Sequence, residues 1–189
     1  QDAVDDGIEL VVGALCSGAS MGANAILSSY GIPHISPTSS APGLSDSSAY
    51  PGFFRVIASD GMDGEALAAL VRGSNSSSPA VLYDSDTSFL ANIAEIFVED
   101  YEDGGGSICA ELGVAYGETD LSDEAQILTD DSCDSVVMVT YADTAGSMLT
   151  ELDDDGWSGE MFTSGDVAYE IEANMNDPSD ADGSFSSRY

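Results

Sequence analysis

The sequence predicts an α/β fold in two lobes, each a parallel sheet flanked by helices. Short apolar runs alternate with amphipathic runs along the chain, which is the pattern of strands joined by crossover helices. A Ser/Gly/Asn-rich stretch, GSNSSSP at 73–79, interrupts the alternation well inside the chain. The hydrophobic share, 43% of 189 residues, is enough to give each part a core.

The apolar run Ile8 to Leu15 reads as a buried strand, followed by a small-residue loop, Cys16 to Ser20. A helix is expected from Met21 to Tyr30, stopped by Gly31, and a short strand from Ile32 to Ser36. Pro37, Pro42 and Gly43 break the next stretch into a turn-rich loop to Ser48. A strand at Phe53 to Ile57 precedes a helix capped by Asp60 and carrying Glu65, Leu67, Leu70 and Val71. The first lobe is expected to cover 1–75 and the second 76–189. In the second, a strand at Ala80 to Tyr83 leads into a helix from about Thr87. Phe89, Ile93, Phe97 and Tyr101 share one of its faces, and Gly104-Gly105-Gly106 stops it. Strands at Ser107 to Leu112, Ser135 to Thr140 and Glu160 to Thr163 then alternate with helices at Ser122 to Leu128 and Thr144 to Leu152.

Charge limits the partners. The chain has 35 acids, three arginines and no lysine, a formal net charge of −32. Nucleic acid needs a basic footprint and is excluded, and an anionic lipid surface is repelled. Such a shell serves solubility, and its self-repulsion is tolerable when the Debye length falls to ~3 Å near 1 M salt, so a salt-loving source is expected. No run of apolar residues is long enough to span a bilayer. The start at Gln1 and the polar end suggest a processed or truncated piece of a longer protein.

The acids are unevenly spread. From Leu10 to Ala58 there is one, Asp46, whereas 76–189 holds 27 of the 35. Core strands account for part of that gap, but its loops are rich in Ser, Gly and Thr. In open α/β sheets ligands sit beyond the carboxyl ends of strands. Two such segments, Cys16 to Ser20 and Pro37 to Ser40, carry hydroxyls without acids. A helix N-terminus with serine hydroxyls can hold a carboxylate without lysine or arginine. Asp84, Asp143 and Asp166 follow second-lobe strands, placed to meet an ammonium group or to cap helices, and Tyr141 offers an aromatic wall.

Gly18-Ala19-Ser20-Met21-Gly22 also fits the G-x-S-x-G nucleophile elbow, which would make Ser20 the nucleophile of an esterase-like hydrolase. The triad order then requires an acid and a later histidine. The single histidine, His34, lies 14 residues on, in an expected strand, and reads as structural. The glycine triplet lacks the companions of a phosphate loop, so no cofactor is implied. Cys16, Cys109 and Cys133 fit no metal or C-x-x-C spacing. They read as buried apolar residues, or, in an exported protein, Cys109 and Cys133 as a pair.

Three strings, VVGALCS at Val11 to Ser17, GIPHISPTSSAPGL at Gly31 to Leu44 and FFRVIASDGMDGEALA at Phe53 to Ala68, resemble consecutive signatures of the type I periplasmic solute-binding proteins. The likeness is greatest to the branched-chain amino-acid-binding proteins of ABC importers and their receptor relatives. VVMVTYADTAGSML and FTSGD are similar further on, so the resemblance covers most of residues 8–166. It implies a two-lobed clamshell that captures an amino acid, without catalysis, for a membrane permease. It also implies a periplasmic or extracellular location, with a signal peptide and an anchor in the full-length protein. By the same resemblance Ser17, Ser39 and Ser40 hold the ligand's carboxylate and ammonium. Tyr141 and Asp166 complete the grip, with Ser88 or Phe89 at a position often aromatic. Cys16 resembles a cysteine that pairs with one further upstream. The family has segments before Ile8 and after Asp166 that this chain lacks, so part of each lobe is expected to be missing. Alternative readings are a ligand-sensing receptor ectodomain of the same fold and the Ser20 hydrolase.

Overall fold

The computed structural model describes residues 2–130, 133–164 and 185–186. It divides into two compact units, Gln1–Met62 and Asp63–Tyr189.

The first unit opens with one helical turn, α1 (Asp2–Asp5), and holds a three-stranded parallel sheet. Its strands, β1 (Val11–Val12), β2 (His34–Ser36) and β3 (Phe53–Arg55), lie in the order β1-β2-β3. The run expected as a buried strand pairs only at Val11 and Val12, and Ile8, Leu10, Val12 and Leu15 are exposed, Val12 at 72%. The physical reason is coverage: β1 hydrogen-bonds to β2 on one side, and no described element packs over these side chains. Phe54, Val56 and Ile57 on the β3 side are exposed for the same reason, Val56 at 78%. Helix α2 (Ser17–Leu27) starts four residues before the expected Met21, because Cys16, in extended conformation, occupies the N-cap position and the Ser20 N–H already bonds back to the Cys16 carbonyl at 3.0 Å. A 3₁₀ turn, Ser28–Tyr30, then leads to Gly31 at φ 68°, a left-handed conformation glycine adopts without strain.

Helix α3 (Gly61–Gly73), expected in the first lobe, belongs to the second unit apart from its first two residues. Its Leu67, Ala68 and Val71 are fully buried against Leu90, Ile93 and Phe97 of α4 (Ser88–Asp103). Gly64 explains the closeness: a Cβ there would lie 2.7 Å from the Ile93 carbonyl oxygen. Asp60 stands just before α3, where its Oδ2 accepts from the Ser40 hydroxyl at 2.7 Å, while the Gly61 N–H reaches the Ser59 hydroxyl at 3.4 Å.

The second sheet contains β4 (Pro79–Asp84), β5 (Ala110–Val114), β6 (Ser135–Val139), β7 (Glu160–Thr163) and β8 (Phe185–Ser186). All pair in parallel, in the order β5-β4-β6-β7-β8. Residues alternate between its faces with period two, as strand geometry demands. Ala80, Leu82, Val136 and Met138 face α5 (Ser122–Asp130) and α6 (Ala142–Asp154), where Leu121, Leu128, Met148 and Leu149 close the layer. Val81, Val137, Val139 and Phe162 face α3 and α4. On α4 the expected row of Ile93, Phe97 and Tyr101 is buried, and the Phe97 and Tyr101 rings stack 5.7 Å apart. Cys109 and Cys133 form a disulfide that ties the entry to β5 to the entry to β6. Asp134 anchors the segment before β4 from the same end: its carboxylate accepts from the N–H groups of Ser77 and Ser78 and the hydroxyls of Ser76 and Ser77. Burial opposes its charge, but the bonds from the Ser77 N–H, the Ser76 hydroxyl, the Ser78 N–H and the Ser77 hydroxyl together hold the carboxyl below its usual 3.8.

Candidate functional site

In the first unit the carboxyl ends of β1 and β2 lead into the two serine-bearing segments. Ser36 ends β2 fully buried; its hydroxyl donates to the Ala14 carbonyl at 2.6 Å and accepts from the Ser39 N–H at 2.9 Å. Ser39 and Ser20 are likewise fully buried, with their hydroxyl oxygens 2.8 Å apart. The Ser39 hydroxyl points inward and braces one segment against the other. Ser20 at 0% exposure is closed to any substrate, and His34, also buried, spends Nε2 on the Gly13 carbonyl. The elbow reading fails because the serine is inaccessible and the histidine is committed elsewhere. His34 is structural, packed edge-on to Phe53 at 5.2 Å.

Ser17 and Ser40 are the half-buried members of the set. The Ser17 hydroxyl accepts from the Ala41 N–H at 3.1 Å, so its own proton is left to donate. The Ser40 hydroxyl donates to Asp60 Oδ2 at 2.7 Å, so its lone pairs are left to accept. One is therefore suited to a carboxylate and the other to an ammonium group. Gly18 and Ala19, exposed in the first turn of α2, add backbone N–H groups at a helix N-terminus. Asp46, the lone acid of the region, is fully exposed, and bonds from the Ser48 hydroxyl, the Ser48 N–H and the Ala49 N–H lower its pKa.

Sequence reasoning missed Arg55. Its guanidinium, at the end of β3, donates to the carbonyls of Ser40 (2.8 Å) and Ala41 (2.9 Å) and to the Ser45 hydroxyl, and so shapes the Ser40 segment from beneath. A cation among three in the whole chain, sitting in the stretch almost free of acids, was the available signal.

In the second unit the strand order β5-β4-β6 places a topological switch at β4 and β6, since the chain runs from β4 to β5 on one side and then crosses back to β6 on the other. Loops after such strands splay apart and open a crevice. Phe89, in the first turn of α4 after β4, and Tyr141, at the start of α6 after β6, stand at this switch. Their rings are 6.5 Å apart at 77°. Tyr141 is 37% exposed, and its side chain makes no cap bond to α6. A third ring missed on the sequence, Tyr116 in the loop after β5, meets Tyr141 at 5.1 Å and 86°. The turn-rich string around it, AYGETD, hides an aromatic that only the folded chain brings to the row. Ser88 is exposed beside Phe89.

The acids at this end divide by role. Asp84 is buried, and its Oδ1 accepts from the N–H groups of Asp86 (3.0 Å) and Thr87 (2.9 Å), fixing the entry to α4. Asp143 accepts from the Thr144 N–H. Both do local backbone work. Asp166 lies outside the described residues. A separate groove of about 330 Å³ lies over the middle of β4 and β5, floored by Val81 and Val98 and rimmed by Glu95, Glu99 and Glu111. Among the described residues no cluster of His, Cys, Asp and Glu could hold a metal ion.

The model of the receptor family ligand binding region matches residues 2–180. The chain belongs to that family. Its members are ligand-binding proteins, not enzymes. Metabotropic glutamate receptor 4 of Rattus norvegicus is 35% identical over 101 residues, 53% of this chain and 11% of the receptor, and the Mus musculus receptor matches equally. Among solved structures, the leucine binding protein LivK of Thermotoga maritima superposes with a TM-score of 0.74 at 17% identity, over 93% of this chain and 50% of that one. The substrate binding protein LivJ of Streptococcus pneumoniae, in complex with isoleucine, gives 0.64 at 23%, over 86% and 45%. An ABC transporter substrate-binding protein of Desulfitobacterium hafniense, in complex with Leu, gives 0.66 at 24%, over 86% and 48%. These likenesses show the type I periplasmic-binding-protein fold. The chain spans about half the length of the solved chains.

Proposed function

We propose that this chain is part of an extracytoplasmic protein that captures an amino acid, of the branched-chain kind, for an ABC importer. The observation that carries the reading is the aromatic row Phe89, Tyr141 and Tyr116, standing at a topological switch point with Tyr141 and Tyr116 exposed and Phe89 partly buried against the core beneath. Ser17 is the donor for the ligand carboxylate, with the first N–H groups of α2, and Ser40 is the acceptor for its ammonium group. Ser39 acts behind them as a brace. Two of the solved relatives hold isoleucine and leucine, which supports the choice of ligand. The Cys109–Cys133 disulfide favours an oxidising compartment, hence a periplasmic or extracellular location facing a membrane permease. No helix among the described residues is long and apolar enough to cross a membrane.

The match to glutamate receptors favours a second reading, a sensing ectodomain of the same fold. A neighbouring permease gene supports the importer, and a fused signalling domain supports the sensor. The binding test uses the intact protein in molar salt with a panel of amino acids and follows the thermal midpoint. A ligand held at 100 times its Kd adds about 2.7 kcal/mol. The reading predicts such a shift with leucine or isoleucine and no turnover; a panel that shifts nothing rejects it.

A further inference from the structure

We propose that Tyr116 is a positioning residue of this site, which fixes the ring of Tyr141 in the pose that a ligand meets. The inference rests on the functional reading above for its consequence, but its physical basis is independent of the ligand. Tyr116 is 64% exposed, too open for a core role, although a tyrosine ring is among the largest apolar surfaces a side chain can bury. It stands two residues beyond β5, in a loop whose other residues from Ala115 to Asp120 are exposed. Its ring nevertheless meets Tyr141 at a centroid distance of 5.1 Å and an interplanar angle of 86°, within the favoured range of an edge-to-face pair.

The loop is held so that this can happen. Ser85, just past β4, donates both its N–H and its hydroxyl to the Val114 carbonyl, each at 2.9 Å. The Tyr116 N–H reaches Asp86 Oδ2 at 3.4 Å. The loops after β4 and β5 are thus stitched together at and just before Tyr116. Tyr141 has Phe89 on one side and Tyr116 on the other, both close to perpendicular, and neither phenol hydroxyl has a hydrogen-bond partner among the described residues. With no cap bond and no hydroxyl bond to orient it, the ring of Tyr141 takes its direction from these two neighbours. Phe89, at 6.5 Å, is at the outer edge of the favoured range, so the closer Tyr116 is the stronger constraint.

The experiment is a double-substitution cycle on the intact protein, with L-leucine as the probe. Tyr116→Ala is expected to weaken binding by about two- to tenfold, the worth of one aromatic pair. Tyr116→Phe keeps the ring and is expected to bind within about twofold of the parent. In a Tyr141→Ala background the Tyr116→Ala change adds no further loss. Parent-like binding by Tyr116→Ala overturns the proposal, and so does an equal loss in both backgrounds, which makes Tyr116 an independent contact. If the parent binds no amino acid, the functional reading fails, and near-ultraviolet circular dichroism of the same variants decides the pairing. Tyr116→Ala and Tyr141→Ala then each remove the same coupled tyrosine signal and the double variant removes no more; additive losses overturn the proposal.

Discussion

The two units solve the same problem, presenting loops at the carboxyl ends of parallel strands, with opposite resources. In the second unit both sheet faces are covered by helices, and the aromatic row is supported by a filled core from Leu82 to Phe162. In the first, a three-stranded sheet leaves Val12, Phe54 and Val56 exposed, and order in the loops comes from hydrogen bonds: Ser36 to Ala14, Ser20 to Ser39, Ser40 to Asp60, Arg55 to Ser40 and Ala41. Buried hydroxyls can position a loop where apolar burial cannot, provided every one is paired. The serine-rich composition of the region is therefore structural as well as chemical.

Truncations of large side chains break the comparison most sharply. Phe97→Ala in the second unit removes a fully buried ring and should cost about 3–5 kcal/mol in a denaturant melt. Val56→Ser in the first, at 78% exposure, should stay within about 0.5 kcal/mol. Equal costs would mean that the exposed apolar side chains of the first unit are buried in the intact protein. Next in size is the disulfide. Reducing Cys109–Cys133, which closes a loop of 24 residues, should lower stability by about 3 kcal/mol, with loss confined to the second unit in hydrogen exchange.

Strand and helix alternation was readable because period-two and helical patterns are set locally, and α4 with its row of Ile93, Phe97 and Tyr101 is the clearest case. Where burial depends on what covers a strand, pattern alone misled: Ile8 to Leu15 has the composition of a core strand but only two paired residues. The grouping of α3 with the second unit was hidden for a related reason. A polar stretch such as GSNSSSP looks like a boundary, whereas the partner of the preceding helix is chosen by the fit of Gly64 against Ile93. At the site, the serine segments and Tyr141 were visible in the sequence. That Ser39 faces inward, that Arg55 holds the Ser40 segment and that Tyr116 meets Tyr141 depends on contacts 15 to 25 residues apart that no local pattern encodes.

The smallest expected effect concerns pH. Because the folded pKa of Asp134 lies below 3.8, its stabilisation is complete above the unfolded value and is lost as pH falls through the folded one. The gap in thermal midpoint between the parent and Asp134→Asn should shrink on acidification below pH ~3.8. A gap that widens there would contradict the assignment.

The central claim is that the second unit meets the ligand through Tyr141 while Ser39 in the first only braces its loops. Calorimetric titration of the intact protein with L-leucine, for Tyr141→Ala and Ser39→Ala side by side with their thermal midpoints, tests it directly. The account predicts that Tyr141→Ala loses binding by about tenfold or more at an unchanged midpoint. Ser39→Ala, which leaves the buried Ser20 hydroxyl unpaired, should lower the midpoint by the equivalent of about 1–3 kcal/mol. Full binding by Tyr141→Ala, or loss of binding at an unchanged midpoint by Ser39→Ala, would contradict it.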